Sequence, residues 1–153
     1  MLVMLLLGFC LVGTRAYACG QYPQPPLATA TITVSVKDSA HTFTVELAET
    51  EEQKACGLMG RPPLAADQGM LFDMRPADAA FFWMDNTPES LDMLFVDTAG
   101  IIIHIEQNAV PFSRRMRGTR KPAAAVLELA GGSAARLGIG IGDRVSLPWN
   151  KSP

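Results

Sequence analysis

The chain has 153 residues, 48% of them hydrophobic and 18% charged, with a formal net charge of −2. That length suits one ordinary domain, and the charge balance gives no reason to expect nucleic acid as a partner. Arg15 is the sole charge before residue 19, so the remainder carries 12 basic against 15 acidic residues, net −3. A domain of roughly 120 residues buries enough surface to fold without a metal or a disulfide framework.

The first 13 residues are almost wholly apolar and lead through Arg15 to Ala16-Tyr17-Ala18. The run is short for a membrane span, and the small-x-small pattern predicts a secretory signal peptide over residues 1–18, cleaved after Ala18. The expected location is the periplasm or the extracellular side. An uncleaved anchor is the alternative, because no basic residue precedes the apolar run. Cys19 follows the cleavage pattern directly, as in a lipoprotein, but Ala16 and bulky Tyr17 stand where such a signal carries a larger aliphatic and then a small residue. Cys19 is otherwise free or paired with Cys56, which an oxidising compartment permits.

Residues 19–30 are rich in Pro and Gln and lack charge, the composition of a flexible linker. Residues 31–150 read as a single β-rich domain. Ile32, Val34 and Val36 alternate with polar residues, and Phe43, Val45 and Leu47 do so again after Lys37-Asp38-Ser39, which predicts a hairpin. Thr50 with Gln53 makes a capping-box pattern for a short helix ending near Gly57 or Gly60. Further strands are predicted at 70–74, 80–84, 93–97, 101–106, 125–130 and 144–147, with one helical turn between Gly132 and Gly138. The expected class is α+β, mainly antiparallel β: a curved sheet or partly closed barrel with one or two short helices.

Phe81-Phe82-Trp83-Met84-Asp85-Asn86-Thr87-Pro88 runs from an apolar segment into a turn, and Asp92 opens the next apolar segment. Trp83, Asn86, Thr87 and Asp92 are thereby placed around one connection, where the indole N–H could find the Asp92 carboxylate. The plain reading is a structural turn, with Asn86 and Thr87 satisfying backbone groups and Trp83 in the core. Asp92 and Glu128 both stand within apolar strands. Such acids are satisfied by backbone N–H groups or serve as a catalytic acid and base.

Other signals are weaker. The glycines of Gly138-Ile139-Gly140-Ile141-Gly142 precede a strand, not a helix, so they read as tight turning and not as a phosphate loop. His41 and His104 lack partners at metal-ligand spacing. Cys56 falls near the end of its helix, where the dipole opposes a thiolate, so it reads as a buried thiol or half of a disulfide. The methionines read as core filler in preference to a copper site, and neither a metal nor a cofactor is expected. Arg114, Arg115, Arg117, Arg120 and Lys121 form a basic loop that could meet an anionic surface.

Taken together, Gly57-Leu58-Met59-Gly60-Arg61, Gly69-Met70-Leu71-Phe72, the run through Trp83 and Asp92, Val126-Leu127-Glu128-Leu129-Ala130-Gly131 and Gly142-Asp143-Arg144-Val145 resemble the bacterial and archaeal family known as domain of unknown function 192, over about residues 32–147. The resemblance implies a compact, β-rich, often exported domain without an established reaction. Asp85 departs from it, since the family commonly has Lys there. The sequence thus points to an exported accessory domain that binds a ligand or envelope partner through Trp83, Asn86, Thr87, Asp92 and Glu128. The alternatives are a hydrolase or lyase of an envelope polymer using Asp92 or Glu128, and a structural envelope protein.

Overall fold

A computed structural model describes residues 19–150; the expected leader and its cleavage point lie outside the described residues. Seven strands follow in chain order: β1 (Thr29–Val36), β2 (Ser39–Ala48), β3 (Gln68–Phe82), β4 (Leu91–Val96), β5 (Ile102–Ala109), β6 (Arg117–Ala130) and β7 (Arg144–Val145). Helix α1 (Glu51–Cys56) lies between β2 and β3, and α2 (Ser133–Leu137) follows β6.

The strands form one sheet in the order β5-β4-β6-β3-β2-β1-β7. Only β2 and β3 pair in parallel, because the chain crosses over between them through α1. The sheet curls into a half-barrel, and Ile101 bridges to Arg144 near its two ends. The expected curved, β-rich α+β domain with two short helices is thus what forms.

Alternation along the strands gives the sheet two apolar faces. Ile32, Val34, Phe43, Leu71, Leu94, Leu127 and Leu129 share one core. Met70, Phe72, Met84, Met93, Phe95 and Val126 share the other. The central strand β6 is buried on both faces from Ala123 to Leu129, an apolar run interrupted only by Glu128.

Two element lengths differ from expectation. The segments predicted at 70–74 and 80–84 are one strand, β3, and β6 begins at Arg117, not near 125. The pairing of Asp73 with Ala125 resumes at Asp78 with Ala123, and then at Ala80 with Thr119. The surplus residues lie first on β3, around Pro76, and then on β6, around Pro122, so the two bulges nearly offset one another and the ladder continues one residue out of its earlier register. Each proline sits where no ladder N–H is required. Beyond the bulges the strands close tightly: a Cβ on Gly118 would stand 2.0 Å from the Ala80 carbonyl oxygen, so only glycine fits.

Residues 19–28, expected as a tether, lie against the domain. Cys19 is disulfide-bonded to Cys56. The buried Gln24 donates from Nε2 to the Gln53 and Gly57 carbonyls at 3.0 and 2.8 Å. The Leu27 N–H donates to Glu46, which also receives a bidentate Arg61 at 2.9 and 3.0 Å. Closing a loop with a sequence separation of 37 contributes up to about 4 kcal/mol by chain entropy.

Candidate functional site

Helix α1 begins as its sequence dictates. The Thr50 hydroxyl accepts the Gln53 N–H, and the Gln53 side chain accepts the Thr50 N–H. The chain leaves α1 through Gly57, and the following residues face the turn after β3. There the Gly60 N–H donates to the Asn86 carbonyl at 2.8 Å, and the Phe112 N–H donates to Thr87 O at 3.1 Å. The Thr87 N–H bonds to Met84 O and its hydroxyl donates to Asp85 O, while Asn86 takes a left-handed conformation at φ 51°. The turn is therefore structurally satisfied, in the way expected of Asn and Thr there.

The same turn forms one wall of a cavity of about 610 Å³, faced on the other side by α1 and the residues after it. Alternation in β3 sends Phe82 inward, where it makes edge contacts with Phe72 and Phe95 at 5.0 and 6.0 Å between centroids. Phe81 and Trp83 turn outward, and Trp83 is 48% exposed, so it does not fill the core. Both still line the cavity mouth, with Tyr22 and Met116. The Cys19–Cys56 disulfide closes one side.

Glu128 reaches this cavity from β6, opposite Met70 of β3 and Met93 of β4. It is only 4% exposed, and its carboxyl accepts no hydrogen bond among the described residues. Burial first, and then repulsion from Glu89, push its pKa up to about 8. Glu89 is itself raised by burial, partly offset because its carboxylate accepts the Leu64 N–H.

Of the residues expected at a site, Trp83, Asn86, Thr87 and Glu128 line this cavity, and Asp92 does not. Asp92 pairs in register with Leu129, one position from the Met93–Glu128 pair. The alternation of side chains therefore sends Asp92 and Glu128 to opposite faces of the sheet. The expected meeting of Asp92 with the Trp83 indole is replaced by three backbone bonds: Asp92 accepts the N–H groups of Asn108 at 2.8 Å, Gly132 at 3.1 Å and Ala134 at 2.8 Å. It fastens β5 and the start of α2, whose first N–H groups lack helical partners.

The basic run is also redistributed. Arg117 is buried, donating to Arg115 O and the Ser113 hydroxyl, and only Arg114, Arg115, Arg120 and Lys121 are exposed. Arg114 pairs with Asp85 at 3.0 Å, so a cation stands beside the acid that replaces the expected Lys. Sequence reasoning missed Phe72, Phe82 and Glu89, because ordinary core residues and a turn carboxylate carry no local mark of a cavity between α1 and β3.

The chain resembles two solved structures. One is from Sinorhizobium meliloti 1021, described as that of a proposed transcription regulator: 40% identity, 80% of this chain and 96% of that chain covered, TM-score 0.78. The other is a protein of unknown function from Novosphingobium aromaticivorans: 41% identity, 86% and 94% covered, TM-score 0.78. No curated protein matches. The family model DUF192, Uncharacterized ACR, matches residues 32–147, most of the chain, and the protein belongs to that family.

Proposed function

We propose that this domain is an exported accessory module that binds a small, mainly apolar ligand in the cavity between α1 and the turn at residues 83–87. The observation that carries the reading is the make-up of that cavity. Aromatic rings and thioethers make up much of its wall, beside the charged Glu51, Lys54 and Asp85; Asn86 and Thr87 stand on one side, and the Glu128 carboxyl accepts no hydrogen bond among the described residues. Ligand sites are commonly concave, apolar and a few hundred Å³ in volume, with a small number of placed polar groups. A carboxyl that opens on the cavity without a protein partner is available to a polar group of a ligand, whereas a purely structural wall would be completed by a methionine or leucine.

The Cys19–Cys56 disulfide supports export, since such bonds persist in oxidising compartments. It also weighs against lipid on Cys19, because a sulfur bonded to Cys56 is not free to form a thioether. A hydrolytic pair of Asp92 and Glu128 draws no support from carboxyls on opposite faces of the sheet. For the exposed cations Arg114, Arg115, Arg120 and Lys121 we propose contact with an anionic surface, favoured by exposed Phe112 and Met116 in the same stretch.

N-phenyl-1-naphthylamine, an uncharged aromatic probe that brightens in apolar surroundings, tests the cavity. It is expected to bind saturably, one probe per molecule. Ala55→Trp, which fills the cavity from α1, should weaken it by at least about tenfold. Non-saturable binding, or affinity indifferent to Ala55→Trp, would reject this cavity as the site.

A further inference from the structure

The charged groups around the cavity are unevenly compensated. Lys54 bonds to Glu51 and to the Asp73 carbonyl, and Asp85 pairs with Arg114. Glu128, more than nine-tenths buried, has neither a cation nor a hydrogen-bond donor among the described residues. The charge that acts on it is another carboxylate, Glu89. The same cavity is lined by the rings of Phe72 and Phe82 and the thioether of Met74, with Trp83 and Met116 at its mouth.

Resting on the ligand-binding reading above, the geometry points to an organic ammonium ion as the ligand: an apolar body whose cationic nitrogen meets the Glu128 carboxylate among the aromatic rings. A buried carboxylate is stabilised by an opposite charge that arrives with its own apolar body, because neither is then left unpaired away from water. Aromatic faces attract organic cations, most strongly when water is excluded. An anionic ligand would oppose ionisation of Glu128 still further and gain nothing from its carboxyl beyond a hydrogen bond. A neutral carbonyl could accept a hydrogen bond from protonated Glu128 but would do nothing to stabilise its ionised form.

The inference carries a protonic signature. In the empty protein Glu128 holds its proton up to about pH 8. A fixed cation favours the ionised form, so binding below that pH expels a proton and affinity rises with pH until Glu128 is ionised. Glu51, Lys54, Asp85 and Arg114 are already paired, and Glu89 acts in the same direction as Glu128.

Benzyltrimethylammonium, whose charge does not titrate, and its uncharged isostere neopentylbenzene provide the test, by calorimetry at pH 7 in buffers of different ionisation enthalpy. The cation is expected to bind at least about tenfold more tightly than the isostere and to release about one proton. Glu128→Gln should remove that preference and the proton release, with a cooperative urea unfolding transition and an unchanged near-ultraviolet circular dichroism spectrum showing that the variant is folded. Equal binding of the two probes, or a preference that survives Glu128→Gln, would overturn the ammonium assignment and leave the cavity as a site for neutral ligands. If neither probe nor the naphthylamine binds, the ligand-binding reading fails and this inference falls with it.

Discussion

Asp92 and Glu128 are both acids within apolar strands, and their surroundings give them opposite characters. Asp92 receives three backbone N–H groups. In Asp92→Asn an amide N–H₂ faces those donors, so the unfolding free energy in urea should fall by about 1–3 kcal/mol, with probe binding to the cavity unchanged. An unaltered midpoint would show that the three bonds contribute nothing to stability. Glu128 receives no bond and resists ionisation. The unfolded chain ionises it near 4.5 and the folded chain at about 8, so over that interval the folded state holds a proton that the unfolded state has lost. Its contribution is therefore full below about pH 4.5, declines as pH rises toward about 8, and is constant above, with a slope of at most about 1.4 kcal/mol per pH unit. Glu89, also raised, adds in the same direction. Glu128→Gln should accordingly gain stability relative to the native chain between about pH 5 and pH 8, by a few kcal/mol across the interval. A difference that does not vary with pH would show that Glu128 is not held neutral.

At the scale of elements, the strongest local patterns proved sufficient. The β1–β2 hairpin follows from strict alternation, and the paired register from Thr29–Glu46 to Val36–Ser39 is uninterrupted. Helix α1 starts where its capping box starts it. The long strands were harder to read, because Pro76, Gly118 and Pro122 look like breaks when each is taken alone. They are compatible with β3 and β6 only because the bulges around them fall at neighbouring positions of one ladder, a relation between segments about 45 residues apart in sequence. For the same reason the basic run reads locally as a loop. Arg117 lies where β6 has already begun, and its guanidinium turns inward to Ser113 and Arg115.

For the whole molecule, net acidity coexists with a local run of exposed cations. Arg114, Arg115, Arg120 and Lys121 are exposed around Met116, and the expected result is co-sedimentation with phosphatidylglycerol vesicles at low ionic strength that is lost at about 0.5 M salt, where the screening length is only a few Å. A variant with Gln at those four positions should fold normally and fail to sediment. Equal sedimentation of variant and native chain would remove the cations from any such role.

The amino-acid sequence by itself determined the β-rich class, the hairpin, the capped helix and the family, since these rest on short periods, caps and local motifs that neighbouring residues carry among themselves. It also marked Asn86 and Thr87 as a turn and Asp92 and Glu128 as acids out of place. Only the tertiary structure decided which acid meets the cavity. That depends on the register of β4 against β6, where a shift by a single residue exchanges the two faces of the sheet. The disulfide, the docking of residues 19–28 and the site between α1 and β3 were likewise decided by contacts between distant segments, which no local period encodes.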